Sequence, residues 1–431
     1  MTAALDRAAC AARDAKDQLG HVRERFVVPP DVVYLDGNSL GALPAQTPAR
    51  LAAAVECEWG EGLVRSWTAA GWMAAPVRIG DKIARLMGAS DGEVVVAEST
   101  SVCLFKLVCA ALAMRPGRSV VLTEEENFHS DLYVAAAAAR ICGATLEVVP
   151  RAEVSEALSD QVALLLLTHV DYRTGFMHDM AAMSRAAHDV GALAVWDLSH
   201  STCAVPLRLN ADGADMATGC GYKYLNGGPG APAFVHVRRG LHGELRNPVP
   251  GWLGHADPFA FEPTFRAAAG MGSMITGSPH ILQLTALESA VDIWLDVDMG
   301  LVRDKSIALT ELFIALVDER CPGMGLELAS PRDPARRGSH VSLRHPSGYS
   351  IVQALIERGV IGDFRAPDLC RFGFAPLYVR FVDVWDAVEH IRAVLDSGCP
   401  PRPAVRQPGG DHLRGRPATP RGPRSARRTS R

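Results

Sequence analysis

Two neighbouring stretches decide the fold of this chain, ALAVWDLSH at 192–200 and ADMATGCGYKYLNGGPG at 214–230. The first is an apolar run too short for a helix, and it ends on an acid, Asp197, with His200 three residues on. A buried strand that terminates in a carboxylate aims it into the crevice beyond the sheet, where open α/β sheets bind ligands. The second stretch carries Lys223, 26 residues after Asp197 and beyond the next strand, between small residues (Gly219, Cys220, Gly221) and the cluster Gly227, Gly228, Gly230. Glycines there permit tight turns and close approach of backbone to a ligand. With small and aromatic rather than charged neighbours, such an amine is suited to lose its proton and form a Schiff base.

Lysine is scarce: only Lys16, Lys82, Lys106, Lys223 and Lys305 occur among 44 basic residues, so lysine chemistry has five candidates. Lys16 and Lys305 sit among charges, and Lys82 and Lys106 fall in expected helices, which leaves Lys223. An acid at a strand end followed by a lysine past the next strand is what a pyridoxal 5'-phosphate site on an aspartate-aminotransferase-like fold requires. The acid keeps the pyridine nitrogen protonated and the lysine carries the aldehyde. The phosphate needs a helix N-terminus. In AESTSVCLF, Thr100 and Ser101 follow the strand VVVA (94–97) and open the helix 102–115, offering hydroxyls and free amides.

Outward from this centre, SVVLT (119–123), TLEVV (145–149), VALLLLT (162–168), ALAVWD (192–197) and APAFVHV (231–237) join VVVA as strands expected to be buried on both faces. Helix-length segments at 100–115, 129–141 and 176–190 separate several of them. That alternation predicts an α/β fold with a mostly parallel sheet and right-handed crossovers. A smaller α+β domain is expected at 300–397, with alternating patterns around 325–343, 350–360 and 383–397. The expected division is an N-terminal segment 1–48 packing with the small domain, a large cofactor-binding domain 49–299, the small domain 300–397 and a disordered Arg/Pro-rich tail 398–431.

The 431 residues, 48% apolar and 21% charged, suffice for such cores and exclude a disulfide scaffold. The formal charge of −4 excludes a dedicated nucleic-acid binder, although the tail holds nine arginines against Asp411 and leaves about −12 for the body. Deleting the tail is expected to leave activity intact. The ten cysteines form no C-x-x-C pair, which fits a reduced, cytoplasmic setting without a metal site. The charged N-terminus lacks a signal-peptide core, and no apolar run approaches the ~18 residues of a membrane span.

Seven segments together resemble the kynureninase family over roughly 30–395: YLDGNSLGALP (34–44), NFHSDLY (127–133), THVDYRTG (168–175), WDLSH (196–200), GYKYLNGGPG (221–230), GWLGH (251–255) and RFGFAPLY (371–378). The resemblance implies a pyridoxal-phosphate-dependent transferase fold of type I and a homodimer with active sites at the subunit interface. By that resemblance Lys223 bears the cofactor and Asp197 pairs with the pyridine nitrogen. His200 and Thr168 line the cofactor, and Phe128 stacks on its ring. Ser130 and Asp131 continue the F-x-[ST]-D pattern, with Asp131 a second acid near the ring. Thr100 and Ser101 take the phosphate. Tyr222 touches the phosphate and assists proton transfer. Trp252 and Ser278 match phosphate-side positions donated by the neighbouring subunit, although this chain reads T-G-S-P-H where relatives carry Asn or Thr before the proline. Arg371 matches the family's carboxylate-binding arginine, a residue type suited to bidentate capture. Trp67 and Trp72 are candidate walls for an aryl side chain.

The implied activity is hydrolysis of the Cβ–Cγ bond of L-kynurenine, or of 3-hydroxy-L-kynurenine, to anthranilate or 3-hydroxyanthranilate and L-alanine in tryptophan catabolism. Two other readings stand beside it. A cysteine desulfurase or lyase on the same fold would need Cys321 or Cys370 as a mobile nucleophile, and a catalytically silent cofactor-binding protein would make its contacts through the tail.

Overall fold

A computed structural model describes residues 6–398 of the chain. The tail expected from 398 onward therefore lies, from residue 399, outside the described residues. The main sheet has seven strands: β1 (Val94–Ala97), β2 (Val120–Glu124), β3 (Thr145–Val149), β4 (Val162–Thr168), β5 (Leu193–Asp197), β6 (Met216–Cys220) and β7 (Ala233–Val237). Their order is β1-β7-β6-β5-β4-β2-β3, and all neighbours run parallel except β7, which is antiparallel to both β1 and β6. This is the mostly parallel α/β sheet that the alternating pattern predicts.

Two strands depart from the sequence reading. β3 is an edge strand and is partly exposed along its length, because TLEVV carries a charge and has a neighbour on one side only. β6 has weak strand character in sequence, MATGC, yet is wholly buried. Its place is fixed by neighbours: Thr218 Oγ1 donates to Phe234 O at 2.8 Å, and Gly219 lies against the Phe234 ring, where a Cβ would come within 2.6 Å of Cζ.

Helices α1 (Arg7–Asp14), α2 (Ala75–Leu86), α3 (Thr100–Met114), α4 (His129–Ile141), α5 (Met180–Asp189), α6 (Ile281–Leu295), α7 (Met299–Arg320), α8 (Gly348–Ile356) and α9 (Phe381–Asp396) complete the frame. Alternate strand residues feed opposite faces. Val95, Leu164, Leu166 and Val195 pack with α3 and α4, whereas Val94, Val96, Leu165 and Trp196 pack with α2 and α6. TSVCLFKLVCAALAM in α3 is apolar on nearly every side, and the helix is correspondingly buried.

The C-terminal part carries a four-stranded antiparallel sheet of β8 (Glu327–Leu328), β9 (His340–Arg344), β10 (Asp363–Arg365) and β11 (Leu369–Gly373), ordered β8-β9-β11-β10. The patterns at 350–360 and 383–397 lie mainly in helices α8 and α9 rather than in further strands. Their apolar residues cover one helical face, as at Ile351, Val352 and Leu355, against the sheet and α9. The N-terminal segment ties into this part. The Asp14 carboxylate caps α9 by accepting from Phe381 N and Val382 N, Arg7 pairs with Asp386 at 2.8 Å, and Val33–Tyr34 pairs in parallel with Val360–Ile361. Among the described residues no helix is long and apolar enough to cross a membrane.

Candidate active site

The carboxyl ends of β1, β4, β5 and β6 open onto a cavity of about 200 Å³. Each wall comes from a strand end or from the helix that follows it. The turn from β1 into α3 supplies Thr100 and Ser101, with Ser99 as the N-cap accepting from Val102 N. The first turn of α3, which lines the cavity at Thr100 and Ser101, carries backbone amides without intrahelical partners, as an anion site needs. The start of α4 supplies Ser130 and Asp131, with Phe128 at its N-cap, and the hydroxyls of Ser101 and Ser130 stand 3.4 Å apart.

The end of β4 contributes Thr168, whose hydroxyl donates to Asn127 Oδ1, while Phe128 N donates to the same oxygen at 2.7 Å. Asn127 Nδ2 is in turn tied to Thr123 Oγ1 at 2.8 Å. One buried amide thus sets both Thr168 and the Phe128 ring. Asn127 lies within the segment NFHSDLY, but residue type alone gave it no role. Tyr172 closes the wall beside Phe128, with ring centroids 4.9 Å apart and planes at 80°.

Asp197 ends β5, and its Oδ1 accepts from Ser199 N at 2.7 Å. Asp131 faces it and is almost wholly buried, with Oδ2 lacking any partner. Burial and the adjacent charge of Asp197 push the Asp131 carboxyl well above the carboxylate range. Lys223 follows β6, and its Nζ lies 3.4 Å from His200 Nε2. Burial and the charge of Lys223 hold the His200 imidazole well below its ordinary pKa, so the ring is neutral. Tyr222 also lines the cavity. The adjoining Cys220 thiol, followed by burial, raises its phenol, which keeps its proton through neutral pH. The loop 35–41 closes over this segment: Gly41 N donates to Tyr222 O at 2.8 Å, and a Cβ at Gly41 would sit 2.3 Å from Lys223 O.

Ten of the residues singled out from sequence therefore share one cavity: Thr100, Ser101, Phe128, Ser130, Asp131, Thr168, Asp197, His200, Tyr222 and Lys223. Trp252 and Ser278 are not among its walls. Trp252 is 38% exposed and packs edge-on to Trp67 at 6.3 Å, and Trp67 meets Trp72 at 5.7 Å. Ser278 lines a separate cavity of about 210 Å³.

Arg371 differs from expectation. It lies on β11, is 1% exposed, and is not presented as a free fork. Strand pairing sets Asp363 of β10 directly opposite, and that carboxylate takes Nε at 2.8 Å and also Nη2. Nη2 donates as well to Ser39 Oγ at 2.8 Å, and Nη1 donates to Tyr172 O at 2.6 Å. Arg371 thus stands behind the cavity wall, and one of its five N–H groups is left over, on Nη1. Burial opposes ionisation of Asp363, but the hydrogen bonds and charges of Arg371 and Arg365 outweigh it and hold the carboxyl below its usual range. Sequence carried no signal for Asp363, because its role exists only through the β10–β11 register.

The wall chemistry fits pyridoxal phosphate. Amides and hydroxyls at the start of α3 suit a dianion, the Phe128 ring suits a flat heterocycle, the Asp131–Asp197 pair with its orphaned oxygen suits a ring N–H, and Lys223 suits an aldehyde.

Comparison with known proteins agrees. Residues 302–391 match the family model described as the kynureninase C-terminal domain. The chain is 48% identical over 394 residues to a kynureninase of Pseudomonas fluorescens, covering 90% of this chain and 95% of that protein. It is 47% identical over 393 residues to a kynureninase of Burkholderia pseudomallei (strain 1106a), covering 90% and 94%. Among solved structures, a cysteine desulfurase from Thermococcus onnurineus NA1 superposes with a TM-score of 0.74 at 18% identity, over 88% of this chain and 98% of that one. A mutant of C-DES with glycine covalently linked to its PLP cofactor also gives 0.74, at 17% identity over 86% and 98%. At such identities the structural likeness speaks for the fold.

Proposed function

The chain belongs to the kynureninase family, and from that premise we propose that Lys223, Tyr222, His200 and the paired acids Asp131 and Asp197 are its working groups. The reaction is hydrolysis of the Cβ–Cγ bond of L-kynurenine to anthranilate and L-alanine, a step of tryptophan breakdown that depends on pyridoxal phosphate. The observation that carries the residue assignment is Lys223 Nζ beside the neutral His200, in the same cavity as the Asp131–Asp197 pair.

When bound, the cofactor supplies a protonated ring that accepts the electron pair released as bonds to the substrate's α and β carbons break. Asp197, with Asp131 beside it, would accept the ring N–H. Thr100, Ser101 and Ser130, with the first amides of α3, would hold the phosphate, and Phe128 would pack against the ring. Lys223 Nζ takes the substrate's Cα proton. His200, uncharged, places no positive charge beside that nitrogen, so a proton arriving there meets no repulsion from the ring. Water adds to the γ-carbonyl, and the gem-diol collapses with loss of anthranilate. Tyr222, its phenol protonated at neutral pH, delivers a proton to Cβ.

Arg371 binds the substrate carboxylate from behind Tyr172 through its remaining Nη1 donor. We place Trp252 and Ser278 at the cofactor phosphate of a second copy, in a cytoplasmic homodimer with shared sites; their position outside the cavity of their own chain supports this. The domain division at 48, 299 and 397 belongs to the same proposal. A desulfurase reading is disfavoured by its own candidates, since burial pushes Cys321 up to about 11 and Cys370 up to about 12 and both thiols lie inside the core.

The deciding test incubates the protein with L-kynurenine and with 3-hydroxy-L-kynurenine and follows the fluorescence of the two anthranilates. Turnover of at least one is expected in the wild type and none in Lys223→Ala, which should also lose the visible absorbance of lysine-bound cofactor. If neither substrate reacts, the activity is refuted; if the absorbance survives in the variant, the assignment of Lys223 is.

A further inference from the structure

Among the described residues, Lys106 is a charge buried away from the cavity. It sits in the middle of α3 and is fully buried. Lysine tolerates such burial only when its ammonium is paired and its protons are used. Here all three are: Nζ donates to Glu98 Oε2 at 2.7 Å, to Met274 O at 2.9 Å and to Thr276 Oγ1 at 2.7 Å. No step of the reaction uses this group, so the question is what the three acceptors have in common.

Glu98 is the residue between β1 and the N-cap Ser99, and its backbone is left-handed, with φ +28°. A non-glycine residue holds that conformation only when its surroundings impose it. Its carbonyl is pinned by Ala233 N at 2.9 Å and its carboxylate by Lys106. The bend at Glu98 sets the direction in which α3 begins, and hence where the amides and hydroxyls of Thr100 and Ser101 point. Met274 and Thr276 belong to the segment that carries Ser278. A cavity of about 210 Å³ lies between Glu98 and residues 275–280, and the ammonium links its two sides.

We infer that Lys106 is a positioning residue for the cofactor phosphate: through Glu98 it fixes the β1–α3 turn, and through Met274 and Thr276 it ties that turn to the segment bearing Ser278. This rests on the reading of Thr100 and Ser101 as the phosphate cup.

The test compares the affinity of the full-length apo-protein for pyridoxal 5'-phosphate with that for pyridoxal, which lacks the phosphate. Loss of a charge-assisted network should weaken phosphate-form binding by about 10-fold or more in Lys106→Met and leave pyridoxal within about 2-fold. Thr276→Val should shift the ratio the same way, and Thr276→Ser, which keeps the hydroxyl, should restore it. An unchanged ratio in Lys106→Met overturns the inference, and so does an equal loss of both ligands. Should Lys106→Met not fold, the Thr276 pair decides by the same criterion. Thr100→Val with Ser101→Ala is the control on the cup: if it shifts the ratio and Lys106→Met does not, only the role of Lys106 falls; if neither shifts it, the cup falls too.

Discussion

Asp36 offers a sharp test of the charge cluster behind the cavity. It lies on the loop that bridges to Gly373 of β11, and its Oδ1 is buried without a hydrogen-bond partner. Burial, followed by the charge of Asp363, pushes it up to about 7 from 3.8, against the pull of Ser39, Arg371 and Arg365. A carboxyl raised in the folded state binds more protons there than in the unfolded chain, so its contribution is complete below about pH 4 and is lost as pH rises through about 7. The whole of that difference is worth about 2–4 kcal/mol. Asp36→Asn keeps the shape of the protonated acid and cannot ionise. The variant should match the wild type near pH 4 and be more stable at pH 8 by about 2–4 kcal/mol in urea unfolding. Asp363→Asn should be milder than the ~3–5 kcal/mol expected for breaking a buried ion pair, because Asp36, freed from repulsion, ionises and replaces it beside Arg371. Combining the two substitutions removes that rescue and exposes the full cost. A stability difference between Asp36→Asn and wild type that stays flat from pH 4 to 8 would refute the reasoning, as would strictly additive effects in the double variant.

Other expectations follow from the same geometry. Arg371→Lys, which forfeits the planar fork that engages Asp363, Ser39 and Tyr172 O at once, should raise KM by about 10-fold or more with a smaller change in kcat, and an unchanged KM would remove Arg371 from carboxylate binding. Burial and neighbouring cations depress both His200 and His340, the latter to about 3, so both rings should be neutral by 15N NMR at pH 5.5. Their stabilising effect is present above about 6.5 and lost as pH falls below it; a protonated His340 at pH 5.5 would contradict its burial. Mixing inactive Lys223→Ala with inactive Trp252→Ala should restore about a quarter of wild-type activity if sites are shared in a two-fold dimer, since half the dimers are mixed and each has one intact site. No recovery in demonstrably exchanged dimers would place Trp252 in its own subunit's chemistry.

What sequence made legible, and what it did not, divides along one physical line. Asp197 and Lys223 could be read because their signal is local: an apolar run ending in an acid, and a lysine among glycines in a lysine-poor chain. The strands that could be read were likewise those with enough apolar weight of their own, and β6 escaped because Thr218 and Gly219 are strand residues only against Phe234. Arg371 was legible as an inward-pointing guanidinium, since apolar neighbours flank it. Its neutralisation was not, because Asp363 meets it by cross-strand register and Ser39 comes from over 300 residues away. Lys106 shows the same limit from the other side. Lys106, set aside from sequence as one more lysine in a helix, takes its role from Glu98, eight residues back, and from Met274 and Thr276, 168 and 170 residues ahead. A charged residue in the middle of an apolar helix is explained only by the network that the fold assembles around it. In this chain such networks, Lys106 under the phosphate cup and Asp363 under Arg371, fix the groups that meet the ligand. The residues proposed to meet cofactor and substrate are read from motif and spacing, and those that hold them in place are read only from the fold.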